Sequence, residues 1–208
     1  IQQEASSKFR IGPKKLMMIL QQLYEGGFIT YMRTDSTLLS EEVLDEAEKI
    51  IKEKYGDKYT SRKQYTKKSK NSQEAHEAIR PTDLSVDKLE QSEKYSFDHV
   101  KIYNLIYNRT IASQMAPAKI QNITINVNIY EDQSIVKDYW FISKNQKVLF
   151  DGFTAVYSPY KEDDGEEEKQ NKFTGSLKEN DVLSMKIIDS TEKFTKPPHL
   201  RYTEASLI

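Results

Sequence analysis

No cysteine occurs among the 208 residues, so disulfides, thiolate catalysis and cysteine-ligated zinc are all excluded. Glycine is scarce, at seven, and the seven form neither a Walker A loop nor a dinucleotide fingerprint, which argues against built-in ATP or NAD chemistry. There is no run of about 18 apolar residues and no basic leader followed by an apolar stretch, so neither a membrane span nor a secretory signal is read and a cytoplasmic location is expected. An excess of either charge is lacking too. With 31 Lys+Arg against 32 Asp+Glu, bulk electrostatics names no partner and any basic surface is local. What is present is 37% apolar residues with 11% aromatics, enough to bury one large or two small cores. The chain starts at Ile1 without a methionine and stops at Leu207-Ile208, inside a helix expected to begin after Thr203. An excised fragment is therefore expected.

Residues 1–115 read as mainly helical. Gly12-Pro13 puts a proline where the first helical turn tolerates it, and Leu16, Met17, Leu20, Leu23 and Tyr24 recur at helical spacing up to Gly26-Gly27. Phe28 to Met32 is β-branched and aromatic, so a short strand or extended segment is expected straight after that stop. Ser40-Glu41-Glu42 opens a second helix, with Val43, Ala47, Ile50 and Ile51 as its apolar stripe and Gly56 at its end. Residues 58–73 carry six basic side chains (Lys58, Arg62, Lys63, Lys67, Lys68, Lys70), no acids, and Tyr59 and Tyr65 between them, the composition of a mobile loop. A helical turn at Glu74 to Ile79, a stop at Arg80-Pro81 and a long helix from Ser96 to Met115 follow.

Composition changes at Ala116-Pro117. Ile123, Ile125, Val127 and Ile129 alternate with Thr124, Asn126 and Asn128, the period of a strand buried on one face. Further strands are expected near 136–143, 147–157 and 181–189, with the acidic run at 162–168 as a solvated hairpin tip. The fold class is thus α+β, with a helical domain at 1–115, a small antiparallel β domain at 116–194, and the start of a further segment at 195–208.

Three constellations bear on chemistry. His76-Glu77-Ala78-Ile79-Arg80 begins like a zinc-protease helix, but Arg80 stands where the second histidine is needed, and that class is rejected. The acids at 162–168 lack the spaced ligands of a calcium loop. The informative stretch is Gly26 to Ser36. In an extended chain Tyr31 and Arg33 project to one side, setting a phenol beside a permanently charged guanidinium with room for a phosphate between them. A phenol of pKa about 10 is a poor nucleophile at neutral pH, yet cationic neighbours favour the phenolate and stabilise charge building on a phosphodiester. Attack would give a phosphotyrosine and conserve the energy of the broken bond. Against this stand the thirteen tyrosines, most of which must be core or rim residues, and the ordinary structural uses of a lone histidine and a surface Arg-Asp pair.

Four blocks in order, Tyr24-Glu-Gly-Gly-Phe-Ile-Thr-Tyr-Met-Arg-Thr-Asp-Ser36, Ala75-His-Glu-Ala-Ile-Arg-Pro-Thr82, Ala112-Ser-Gln-Met-Ala-Pro-Ala118 and Arg201-Tyr-Thr-Glu-Ala-Ser-Leu207, resemble the bacterial DNA topoisomerase I family of type IA enzymes. Met32 favours that branch over topoisomerase III, where proline is common. The resemblance implies that Tyr31 is the nucleophile that takes the 5′-phosphate of a cut strand, that Arg33 positions and neutralises that phosphate, and that His76 assists. It implies further that Gln21, Glu25, Thr30, Thr34, Asp35, Arg201 and Thr203 line the site or the DNA path, with the separate roles of Glu25 and Asp35 left open. It implies a magnesium ion held by a Toprim domain outside this chain and no metal within it. DNA is the implied partner, as single-stranded segments of negatively supercoiled duplex, with a monomeric, nucleoid-associated parent. It implies an ATP-independent relaxation, with the β domain as arch and hinge, and little or no cleavage by this piece alone. The same residues also fit a single-strand DNA holder whose Tyr31 stacks on a base, a recombinase that forms a 3′-phosphotyrosine, or an adaptor whose site has decayed.

Overall fold

A computed structural model describes residues 1–65, 76–131, 134–157, 178–183, 202 and 207. Its elements are α1 (Gln2–Phe9), α2 (Pro13–Glu25), α3 (Glu41–Tyr55), a 3-10 turn (Asp57–Tyr59), α4 (Phe97–Ser113), β1 (Lys119–Glu131), β2 (Ser134–Phe150) and a second 3-10 turn (Gly152–Ala155). The mainly helical part, which bears Tyr31, thus precedes an antiparallel β part, an α+β architecture.

Proline at the first position of α2 costs nothing because that N–H has no helical acceptor, and Leu16, Ile19, Leu20 and Leu23 then fall on one buried face. The helix ends in a Schellman turn. The Gly27 N–H donates to the Tyr24 carbonyl at 2.9 Å and the Phe28 N–H to the Leu23 carbonyl at 2.9 Å, with Gly27 at φ 76°. A side chain at Gly27 would be strained by about 1–2 kcal/mol, and one at Gly26 would run into the Tyr95 hydroxyl. α4 is the central helix, with Ile102, Tyr103, Ile106, Tyr107 and Ile111 buried against α2 and α3 residues in one cluster. Truncating such side chains typically costs 2–5 kcal/mol, so this cluster holds the domain together.

At the start of α4, Ser96 and His99 form a capping box. The Ser96 N–H donates to His99 Nδ1 at 3.1 Å, which requires the proton on Nε2, and that N–H donates to Gln22 Oε1 at 2.6 Å. Burial lowers the His99 pKa; Asp98 opposes this and Lys15 adds to it. The unfolded chain therefore binds this proton more readily, and stability falls as pH drops through the ordinary histidine value of about 6.5 and on through the lower folded one. The melting temperature is expected to decrease between pH 7.5 and 5, above the range where the carboxylates titrate. His99→Gln, which keeps a capping-box residue, should flatten that slope.

Several expectations are corrected. α1 carries only Ala5 as a buried residue, too weak a pattern to read in advance. Of the two readings of residues 28–32, a regular strand is not formed: Ile29 alone makes a bridge, to Pro81. Residues 76–79 are not a helical turn but run extended, because their backbone groups pair with the Tyr31 segment. Residues 59–65 are not a mobile loop. Their backbone is held by Gln64 and Gln114, whose side-chain amides each bond both backbone groups of a residue on a neighbouring segment. Gln114 takes the Lys63 N–H at 2.9 Å and gives to the Lys63 carbonyl at 3.0 Å, while Gln64 does the same for Leu39 at 3.2 and 2.6 Å. Of the basic side chains there, Arg62 is paired with Asp45 and Glu41 of α3, and Lys58 lies over the Tyr59 and Phe150 rings. Lys67, Lys68 and Lys70 lie outside the described residues.

The strands expected at 136–143 and 147–157 are one strand to Phe150 followed by a 3-10 turn, since Asp151-Gly152 needs φ 52° at the glycine. β1 and β2 form a two-stranded antiparallel ribbon, and Ile123, expected on a buried face, is 40% exposed. Residues 181–183 are not in a strand; 184–189, the acidic run and Pro197-Pro198 lie outside the described residues. The ribbon joins the helical part through a tight neck. The Ala116 N–H donates to the Tyr59 carbonyl at 2.7 Å, the Phe153 N–H to the Ala116 carbonyl at 2.9 Å, and the Tyr59 hydroxyl to Asp151 at 2.7 Å. A Cβ on Gly152 would overlap the Ala116 carbonyl, so only glycine fits there. Beyond it Tyr157 is buried against Leu105 and Ala112, its ring covered by Lys8 and Arg109 and its hydroxyl bonded to Glu4 and Arg109.

Candidate active site

The site begins with two backbone segments 50 residues apart in sequence. The Thr30 N–H donates to the Arg80 carbonyl at 2.9 Å and the Thr82 N–H to the Phe28 carbonyl at 3.0 Å, the reciprocal pair that flanks the Ile29–Pro81 bridge. Proline is tolerated at that bridge because its missing N–H is not one of the bonded groups. The Thr30 hydroxyl donates to the Ala78 carbonyl at 2.7 Å and accepts the Arg80 N–H at 3.0 Å. On the other side, the Ala78 N–H donates to the Leu38 carbonyl at 2.9 Å. Both ends of the loop 31–37 are therefore tied to one residue, Ala78.

Within this loop the side chains alternate in exposure. Tyr31 and Arg33 are exposed, whereas Met32 between them is buried in the core and anchors the loop from beneath. Short local bonds shape the rest: Thr34 Oγ1 accepts the Ser36 N–H at 3.0 Å, and Ser36 Oγ accepts the Leu38 N–H at 3.2 Å. Asp35 is exposed at the tip, and His76 is exposed two residues before Ala78.

The two arginines of the region differ in use. Arg80 is largely buried and spent on structure, with Nη2 donating to Glu77 at 2.6 Å and Nη1 to the Pro81 carbonyl at 2.8 Å. Arg33 has no ion-pair partner among the described residues, so its charge stays available to an anion. From α2, Gln21 Nε2 donates to Glu25 Oε1 at 2.7 Å, while Tyr24 on the same face meets the Tyr31 ring edge-on at 5.2 Å between centroids. Tyr24 was not among the residues expected at the site; its spacing from Gln21 on the last turn of α2 was the signal. The Glu77–Arg80 pair was missed as well, hidden in the block taken for a helix. Arg201 and Thr203 lie outside the described residues.

The tyrosines sort by environment. Burial pushes Tyr103 up to about 12 and raises Tyr107, and the hydrogen bond to Asp151 raises Tyr59. Tyr157 is buried and bonded, and the Tyr65 hydroxyl donates to the Ser113 carbonyl. Tyr31 is 42% exposed and stands two residues from an arginine without a partner among the described residues. Among the described residues, no group of three or more acidic or histidine side chains is placed to hold a metal ion. No helix among them is long and apolar enough to cross a membrane.

The comparisons agree with one another. A family model described as DNA topoisomerase matches residues 1–208. DNA topoisomerase 1 of Rickettsia conorii is 42% identical over all of this chain and 27% of its own length. The Campylobacter jejuni DNA topoisomerase 1 is 40% identical over all of this chain and 29% of its own length, and a prokaryotic-type DNA topoisomerase 1 of Acanthamoeba polyphaga mimivirus is 41% identical over 25% of its length. The structure of full-length topoisomerase I from Thermotoga maritima superimposes with a TM-score of 0.60 at 37% identity, covering 77% of this chain and 26% of that one. The chain thus spans between a quarter and a third of the length of the curated relatives it matches. Matched from end to end by that family model, the chain belongs to the type IA DNA topoisomerase family, as a relative of bacterial DNA topoisomerase I.

Proposed function

We propose that this chain supplies the nucleophile of a type IA topoisomerase, which relaxes negatively supercoiled DNA by cutting one strand, passing the other and resealing. Tyr31 Oη attacks phosphorus and the P–O3′ bond breaks. The 5′-phosphate stays on the tyrosine and the phenolic proton ends on the departing 3′-hydroxyl. The new ester keeps the energy of the old, so resealing needs no ATP. Arg33 offsets the charge on the phosphate oxygens, His76 donates to the same group, and Glu25 or Asp35 orients or relays the proton. The observation that carries this reading is the loop 31–37, which holds Tyr31 and Arg33 in solvent while Thr30 and Leu38 at its ends are bonded to Ala78.

The rest of the reading follows the family. Gln21, Thr30, Thr34, Arg201 and Thr203 line the strand path, and single-stranded segments of supercoiled DNA are the substrate. The magnesium ligands belong to a Toprim domain outside this chain, so the chain alone does not cut. The parent works as a monomer in the bacterial cytoplasm. The division at 115/116 and 194/195 separates the tyrosine domain from an arch that opens during strand passage.

The test mixes the chain with a Toprim-containing partner, magnesium and an oligonucleotide labelled at either end. A denaturation-resistant adduct that carries the 3′-label and maps to Tyr31 is expected. An adduct carrying the 5′-label, or one on another tyrosine, overturns the assignment.

A further inference from the structure

The backbone on either side of Tyr31 is fixed, but the ring itself is held by little. Ile29 is buried and bridged to Pro81, the Thr30 hydroxyl is bonded to Ala78 and Arg80, and Met32 is buried in the core. The phenol is exposed, and its hydroxyl has no hydrogen-bond partner among the described residues. Such a ring exchanges between staggered wells, whereas attack on phosphorus needs the oxygen about 3–3.5 Å from its target and aligned with the bond that breaks. Among the described residues one aromatic ring contacts it and can select a well: Tyr24, 5.2 Å away between centroids with 64° between the planes. Edge-on contact is a favoured arrangement for an aromatic pair. The fold also fixes where Tyr24 stands. It lies on the last turn of α2, its carbonyl accepts the Gly27 N–H, and Leu23 beside it is buried. Its polar neighbours Gln21 and Glu25 are bonded to each other. Tyr24 is 41% exposed and belongs to neither buried cluster, so its ring serves no core.

We propose that Tyr24 is a positioning residue for the nucleophile, its ring confining Tyr31 to the rotamer from which the phenolic oxygen reaches phosphorus. This role rests on Tyr31 being the nucleophile. Tyr24 touches no reacting atom and acts through its ring, so its own hydroxyl plays no part. An edge-on pair biases a rotamer equilibrium by roughly 2- to 12-fold, and the rate of attack follows the share of chains in the competent rotamer. Affinity for DNA does not follow that share, because loss of Tyr24 frees the Tyr31 ring without removing it.

Tyr24→Leu removes the ring from an exposed position and keeps a good helix former. In the mixture of the full chain with a Toprim-containing partner, magnesium and an oligonucleotide, it is expected to slow Tyr31 adduct formation at saturating oligonucleotide roughly 2- to 12-fold, with the binding midpoint and the melting temperature unchanged. Tyr24→Phe, which keeps the ring, should recover the rate. The full chain alone, labelled with carbon-13 tyrosine, gives a second readout by NMR. The Tyr31 ring signal, identified by its loss in Tyr31→Phe, should shift in Tyr24→Leu and return in Tyr24→Phe, because the neighbouring ring supplies the ring current. A Tyr24→Leu rate within about twofold of wild type, or an unmoved Tyr31 signal, overturns this role. So does a weakened binding midpoint with the saturated rate unchanged, which would put Tyr24 on the DNA, and so does a Tyr24→Phe variant as slow as Tyr24→Leu, which would assign the effect to the hydroxyl. A wild-type chain that forms no Tyr31 adduct defeats the cleavage reading and the positioning role together; a Tyr31 adduct at full rate in Tyr24→Leu defeats the positioning role alone.

Discussion

Replacing Tyr31 by phenylalanine is expected to abolish the covalent DNA adduct in the mixture with a Toprim-containing partner, by at least 10^4- to 10^6-fold on the order of other nucleophile deletions. The change removes one oxygen and nothing else. The ring stays to meet Tyr24 edge-on, Met32 stays in the core, and the bonds of Thr30 and Leu38 to Ala78 do not involve the phenol. The melting temperature should therefore stay put, since an exposed substitution of this kind moves stability by less than about 0.5 kcal/mol. Oligonucleotide binding should survive too. A phenylalanine variant that still forms an adduct would show that another group attacks phosphorus.

The second large effect separates the two arginines. Arg33→Ala is expected to slow adduct formation by about 10^2- to 10^3-fold, the loss typical of removing one group that stabilises charge in the transition state, without a change in melting. Arg33→Lys should recover part, because a lysine keeps the charge but not the planar pair of donors. Arg80→Ala should do the opposite. It removes bonds to Glu77 and to the Pro81 carbonyl from a side chain that is only 13% exposed, at about 1–3 kcal/mol of stability. If the two variants exchanged phenotypes, the catalytic charge would belong to Arg80.

The helices were legible because their signals are local. Pro13, the glycine pair at 26–27, the acids after Ser40 and the apolar spacing in α2 and α3 all act within a few residues of where they stand. The extended path of 76–82 was not legible. Its backbone partners are Phe28, Thr30 and Leu38, and no periodicity within the segment reports bonds made so far away in sequence. The same holds for 59–65. A run of lysines with tyrosines has the composition of a loop, and the amides that tether it sit at Gln64 and Gln114, residues that look like ordinary surface positions until Gln114 proves to be 1% exposed. Of the site, the alternation of Tyr31, Met32 and Arg33 was readable from two-residue spacing. That the arginine to be spent on structure is Arg80 was not, because a guanidinium reveals its partner only in three dimensions.

The neck between the helical part and the ribbon constrains how force passes through the molecule. The outgoing strand at Ala116 and the returning turn at Phe153 are bonded to each other and to Tyr59, and the contact at Gly152 leaves no slack for a swivel. A pull on the ribbon is therefore delivered to the end of α4 as a turn of the whole block, because yielding at the neck would break several bonds together, at about 1 kcal/mol each. Compliance is pushed outward, into a pair of strands that, among the described residues, pair with each other and with no third strand. The phenol at position 31 rides on the stiff end of that lever.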